Sequence, residues 1–323
     1  MSPHLPTRQR GVAIISALLI VTVVAVIAAG MLARQGVFTR TLEAEQFRVQ
    51  GSQVLLGGLE AGRRLLWVAG QQNSVTRPDQ LWNQPLGQYG PGNAGQALEA
   101  RLQDQQGKFN LHNLLLNERL DSGQLRSFER LCAMIDIDPG LARRISARVI
   151  ASFPHYPEGA DSLATGRDSG GFSNRLDAAR RPVPASLPIL SQLSDLRSIA
   201  GIDEAVLERL GRYVSIIPGN TWVNSNTASA EVLAAVVPGL ALDQARALVQ
   251  ARDRGQWFIN RGDFVNRLGL AQVSIDSLNV GTTSEWFLYQ GQTRQERRRS
   301  SLEALLYRTQ HEMPRVIWAR PGV

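Results

Sequence analysis

The chain is 323 residues long and carries a formal net charge of +7, with 35 Lys and Arg against 28 Asp and Glu. That excess is modest and partly gathered in Arg8, Arg10 and the Arg297-Arg298-Arg299 cluster, so it makes no broad basic face. A single cysteine, Cys132, excludes an internal disulfide.

Behind a basic leader, 1–11, the run from Val12 to Ala33 is 22 residues without a charge. As a helix rising ~1.5 Å per residue it spans roughly 33 Å, enough to cross a bilayer with the leader on the cytoplasmic side. Two processing sites compete. An ordinary secretory signal would be cut after the apolar run, near Ala28-Ala29-Gly30 or Met31-Leu32-Ala33, and the run removed. A cut between Gly11 and Val12 would keep the apolar helix in the mature protein. The residues downstream favour the second. No proline occurs between Pro6 and Pro78, and Phe38, Leu42, Val49, Leu56, Leu59 and Leu66 recur at helical spacing among charged residues. They predict one helix from Val12 to Trp67, its first part (12–33) in lipid and its second (34–68) amphipathic. Glycines 36, 51, 57, 58 and 62 weaken that helix and mark bends or close packing.

The globular remainder reads as α+β. Ala97–Leu102 and Lys108–Leu111 flank Asp104-Gln105-Gln106-Gly107 as a hairpin, and Glu285–Gly291, Ser301–Arg308 and Arg315–Ala319 add three strands. The long stretch between the two groups is helical in pattern. The divisions expected are therefore 69–118 and 282–323 for the strand-bearing part and 119–281 for an α-helical insertion. Cys132 falls on a helix Gln124–Ile137 as a small buried residue, and Asp136 and Asp138 at its end are capping or solvated charges.

Within the insertion, Ser194–Asp203 leads into a helix Glu204–Val214, and Glu231–Leu240 into a helix Ala241–Ala251, each through a glycine turn at Gly201 or Gly239. The pair resembles the helix-hairpin-helix modules of DNA-uptake and repair proteins, whose turns offer backbone N–H groups to a phosphate. The residues argue for a scaffold instead. Gly201-Ile202-Asp203 puts a carboxylate where the phosphate would sit, and Gly239-Leu240-Ala241 adds a Cβ. Neither following helix opens with the Lys or Arg that such affinity needs. Catalytic sets are missing too. His4, His112, His155 and His311 have no metal-ligand spacing, and there is no Gly-x-Ser-x-Gly elbow or Gly-Lys-Ser/Thr loop, so no enzymatic activity is expected.

Arg10-Gly11 before Val12, the long apolar helix and a globular part beginning near residue 70 resemble the type IV pilin-like proteins, and among them the pseudopilins of type II secretion. In that family a prepilin peptidase cuts between the residues matched by Gly11 and Val12. The fifth mature residue is usually a glutamate that pairs with the N-terminal amine of a neighbour. Here that position is Ser16. A lone carboxylate in lipid is retained for a partner, and a subunit with nothing above it needs none. This departure, together with the chain's size, is similar to the general secretion pathway protein K family, the large minor pseudopilins of the fibre tip.

The resemblance implies a long helix packed on an antiparallel pilin-like sheet, with the α-helical domain inserted between strands. It implies a single-pass protein of the bacterial inner membrane, its globular part in the periplasm, that initiates or caps a fibre for protein export. The partners implied are I- and J-type minor pseudopilins, the major pseudopilin and the prepilin peptidase, with no nucleic acid expected. It also implies calcium in the loop Phe153–Pro188, with Glu158, Asp161, Asp168 and Asp177 as candidate ligands. The spacing there is no EF-hand and leaves a solvated loop open. The competing function is a membrane-anchored periplasmic DNA-binding or DNA-uptake protein that uses the hairpin pair.

Overall fold

A computed structural model describes residues 10–89, 97–156, 182–270, 274–295 and 298–321. The chain opens with one unbroken helix, α1 (Arg10–Gln72), of 63 residues. At ~1.5 Å per residue it is roughly 95 Å long. No proline interrupts it, and it runs past the expected end at Trp67 to stop at Gln72, ahead of Pro78.

The C-terminal part of α1 lies on a four-stranded antiparallel sheet ordered β1-β8-β9-β10. These strands are β1 (Ala97–Asp104), β8 (Trp286–Gln295), β9 (Arg298–Tyr307) and β10 (Arg315–Pro321). β1 alternates outward and buried residues, and its Leu98, Ala100 and Leu102 share a core with Val54, Leu59 and Leu66 of α1 and Phe287, Tyr289 and Leu306 of the sheet. Trp82 closes this core edge-on to Phe287, with ring centroids 5.2 Å apart. Each such side chain fully buried contributes about 1.5–3 kcal/mol.

The helix meets the sheet over glycines. A Cβ on Gly58 would stand 2.6 Å from the Tyr289 hydroxyl oxygen and 2.7 Å from Leu98 Cδ2. Gly51 and Gly62 likewise face Thr293 and Ser300, and Leu86 and Leu102. These positions serve close approach, and the helix runs through them without a break. The apolar arc of α1 is wider than the sheet covers. Of the six residues whose spacing predicts the stripe, Leu59 and Leu66 are buried, whereas Phe38, Leu42, Val49 and Leu56 remain exposed.

The expected hairpin over 97–111 is not formed. β1 pairs instead with β8, from Ala97 opposite Arg294 to Asp104 opposite Phe287. The short strand β2 (Phe109–Asn110) leaves the sheet and pairs in parallel with β5 (Val214–Ser215). Two short pieces complete the strands on this side: β3 (Leu115–Leu116) with β4 (Arg119–Leu120), and β6 (Val223–Asn224) with β7 (Val280–Gly281). The reason lies in the turn. The Asp104 carboxylate turns inward and accepts the Gln106 N–H at 2.8 Å, so residues 104–107 carry the chain out of the sheet rather than back along it. Four strands, not five, make the main sheet.

The chain then builds a second, separate core from α2 (Ser122–Met134), α3 (Pro139–Ile150), α4 (Glu204–Tyr213), α5 (Ala230–Val236), α6 (Leu242–Asp253) and α7 (Arg261–Leu268). Its members run from Phe109 to Val280 and include Phe128, Leu131, Ile145, Leu210, Leu233 and Phe264. Side-chain oxygens of Asp121, Asp138, Asp203, Ser229 and Asn260 cap the N-termini of α2, α3, α4, α5 and α7. Asp138 is thus a cap, with Pro139 pre-set for the first turn. Cys132 is buried on α2, which ends at Met134, three residues short of the expected Ile137, and burial pushes its thiol up to about 12.

The two hairpin units differ from expectation in one respect. The second is helix, turn, helix (α5, Gly239, α6), whereas the first opens with only a 3-10 helix, Leu193–Ser198, ahead of Gly201 and α4. Both glycines take left-handed backbone, φ +93° at Gly201 and +81° at Gly239, which a side chain would strain.

Candidate assembly surface and the junction behind it

Gly11 and Val12 lie in the first turn of α1. From Ile14 to Leu32 the helix is apolar, with a mean hydropathy of 2.8, and none of it is buried. Ser16 stands within this span. The Thr22 hydroxyl donates to the Leu18 carbonyl at 2.7 Å, which removes a polar demand from an apolar rod. An uncovered apolar surface of this extent is stable in lipid or against other apolar helices and not in water.

Beyond the span the exposed stripe of α1 continues. Phe38, Leu42, Val49 and Leu56 recur at four and seven residues, which keeps them on one face, and Trp67 follows near the helix end. That face points away from the sheet. At its lower end a groove of about 530 Å³ runs between α1 and the segment before β10, with Leu65, Trp67 and Met313 in its walls. The segment is pinned to the helix, since Arg63 Nε donates to the Pro314 carbonyl at 2.7 Å and Gln71 Nε2 to that of Gln310 at 2.8 Å.

Behind this surface the helix end, the sheet and the helical part meet at a buried polar junction that the sequence reading does not foresee. Asp104 sits at its centre. Its carboxylate accepts from Ser284 Oγ at 2.6 Å, Thr227 Oγ1 at 2.5 Å, Asn224 Nδ2 at 3.2 Å and the Gln106 N–H. Burial pushes this carboxyl above the usual range, while those four donors pull the other way. Asn224 Nδ2 also donates to the Thr76 carbonyl, just past α1, and Arg308 donates to Thr76 Oγ1 and to the Ser284 carbonyl, both at 2.6 Å. Gln106 bridges as well, its Oε1 taking the Glu285 N–H at 2.6 Å and its Nε2 giving to the Trp222 carbonyl at 3.1 Å. A network this well satisfied fixes one relative placement of the two cores. The signal for it in the sequence was the polar run Asn224-Ser225-Asn226-Thr227, all but Thr227 fully buried.

The glycine turns are occupied from within. Asp203 Oδ1 takes the Val206 N–H at 2.8 Å, so the start of α4 already holds its anion. Arg144 Nε donates to the Ala200 carbonyl at 3.1 Å beside Gly201. At the start of α6, Asp243 pairs with Arg246 at 3.1 Å. His112 is half-buried, stacks on Phe153 and accepts the Gly219 N–H through Nδ1, and burial lowers its pKa. The expected calcium ligands Glu158, Asp161, Asp168 and Asp177 lie outside the described residues. Among the described residues no three His, Cys, Asp or Glu side chains gather as metal ligands.

Family models described as type II secretion system protein K match residues 107–219 and 223–283. The type II secretion system protein K of Pseudomonas aeruginosa is 31% identical over 274 residues, which cover 80% of this chain and 77% of that one. Those of Pectobacterium carotovorum subsp. carotovorum and Klebsiella pneumoniae are 30% and 29% identical, each over 77% of its length. In solved structures the fold is matched by the GspK-GspI-GspJ complex of enterotoxigenic Escherichia coli, at a TM-score of 0.63 and 17% identity over 88% of this chain. A helix apolar enough to cross a membrane, carried into a mixed helix and sheet body, here defines a minor pseudopilin of type II secretion. The chain belongs to the type II secretion system protein K family.

Proposed function

We propose that this chain occupies the tip of the periplasmic pseudopilus, where it initiates or caps assembly by packing and not by chemistry. The observation that carries this reading is α1 itself, which leaves apolar surface uncovered from Ile14 to Trp67 while only one margin of its lower half serves the protein's own core. The span 12–33 holds the subunit in the inner membrane until it is extracted. The stripe Phe38, Leu42, Val49, Leu56 is offered to neighbouring helices, and such dry apolar helix faces associate side by side. The Escherichia coli relative is seen with GspI and GspJ, which supports I- and J-type subunits as the neighbours here, with the major pseudopilin below them. Ser16, in place of an acidic residue, leaves no carboxylate for a further N-terminal amine, and the bulk of the inserted helical domain would prevent a further subunit from being added above. The degenerate hairpin pair serves as scaffold in this reading, with neither nucleic acid nor a catalytic reaction involved.

Mass spectrometry of the mature N-terminus, from cells with and without prepilin peptidase, tests the reading directly. A start at Val12 that is lost without the peptidase is expected. A start near residue 30, or an intact Met1, would discard the fibre role.

A further inference from the structure

Among 35 basic side chains only one, Lys108, is a lysine. It is buried, 8% exposed, at the end of the turn that follows β1 beside the junction. Beside it lies a cavity of about 330 Å³, bounded by the end of β1, the loop 104–108, the segment Pro78–Asn83, the end of α4 and the start of α5. Its polar lining comes from Asp104, Lys108, Arg101, Arg212, Thr227 and Ser229, with the neutral amides of Asn83 and Gln103.

Cationic side chains in that lining, Lys108, Arg101 and Arg212, outnumber its carboxylates. Lys108 Nζ donates to the Gly211 carbonyl at 2.6 Å and to Gln103 Oε1 at 3.2 Å, and an ammonium has a third proton to give. No ion pair of Lys108 exists among the described residues. Arg101 leans on a neutral partner, Gln290 Oε1, through Nε and Nη2. Arg212 is paired at the mouth with Glu208 at 2.7 Å, but through one nitrogen only. Ser229 Oγ accepts the Val232 N–H and keeps its own proton free to donate. Asp104 is the one carboxylate of the lining, and four donors already claim its oxygens. Asp104 attracts the Lys108 ammonium without forming an ion pair with it, and one carboxylate against three cations leaves the lining net positive, which a negatively charged guest would offset.

We propose that this cavity is a binding site for a small oxyanion, the phosphate or carboxylate group of a ligand, held by Lys108 with Ser229 inside and by Arg101 and Arg212 at the mouth. Pockets where two structural units meet, with a few convergent polar groups, are where ligands ordinarily bind. Occupancy would tie β1 to the end of α4 and so stiffen the joint between the sheet and the helical part. The site does not depend on the tip reading and stands if that reading falls.

Because the chain has one lysine, the full-length protein in detergent, grown with lysine carrying carbon-13 at Cε, gives a single lysine resonance to follow. Burial holds the Lys108 amine down at about 8. Inorganic phosphate, added at constant ionic strength, is expected to shift the resonance saturably and to raise the amine's midpoint by about one pH unit at tenfold excess over Kd. Arg212→Gln, a surface change, should weaken the effect about fivefold. Sodium acetate run in parallel separates the sources. Saturation by acetate alone assigns a carboxylate, by phosphate alone a phosphate group, and by both the shared oxyanion chemistry. A resonance that stays still, or that drifts equally with chloride, overturns the site. So does saturation undiminished in both Arg212→Gln and Arg101→Gln, which would place the anion elsewhere.

Discussion

Lys108 shows what a single buried charge does to the whole stability curve. Its amine titrates at about 8 in the folded chain against 10.5 ordinarily, so between those values the unfolded chain binds the extra proton. Stability therefore rises with pH across that window, and the full penalty is present below it, up to about 3 kcal/mol for this shift. Tyr289, whose hydroxyl is buried and donates to the Leu55 carbonyl, is held well above its ordinary 10.0 and has the opposite sign at higher pH. Cys132, whose thiol is pushed up to about 12, has that opposite sign from about pH 9, so between about pH 8 and 10 the urea midpoint of the wild type should rise relative to that of Lys108→Met, whose own midpoint should fall above about pH 9. At this scale the sequence was legible where chemistry is local, as in Asp203, whose carboxylate takes the Val206 N–H where a phosphate would. It was not legible at Asp104, since Asp104-Gln105-Gln106-Gly107 carries the composition of a reverse turn, and only the distant Asn224, Thr227 and Ser284 turn its side chain inward.

Among the elements, α1 carries two requirements on one surface: close approach to the sheet along the glycines and free apolar area on the other face. Gly58→Ala separates them. Alanine should gain up to about 1 kcal/mol of helix propensity, but its Cβ would collide with the Tyr289 hydroxyl, which has no room to move because Gly291 lies against the same ring. Overpacking of this kind costs about 1–3 kcal/mol, so a net loss of up to about 2 kcal/mol is expected by thermal or urea unfolding. An unchanged or raised midpoint would mean that the ring yields. The helix itself was evident from the missing prolines and the apolar run. Which of its apolar residues face inward was not, since Phe38 to Leu56 and Leu59 to Leu66 belong to one wide arc and periodicity cannot say where a sheet will cover it. The hairpin over 97–111 failed for a related reason. β1 finds its partner in β8, nearly two hundred residues downstream, and no local pattern announces so distant a pairing.

In the molecule as a whole, the long excursion from Gln106 to Glu285 leaves and rejoins the sheet at a single point, where the Gln105 N–H donates to the Trp286 carbonyl at 2.9 Å. Replacing that excursion with a two-residue Asn-Gly turn should convert β1 and β8 into an ordinary hairpin and leave α1 and its sheet folded, as neighbouring ends tolerate such exchange. If the helical part is what stops growth, cells making only this shortened chain should show longer fibres by electron microscopy. Normal fibre length would assign the stop to α1 and Ser16 alone. The same closure decides how the protein behaves under tension. A pull along α1, as the proposed fibre role requires, would enter the sheet as shear across β1, β8 and β9, whose hydrogen bonds resist together. The helical part, joined to that path at adjacent chain ends and through the hydrogen bonds around Asp104, would carry less of it. It rides as cargo on a tethered rod, and its core is free to be as soft as its other duties require.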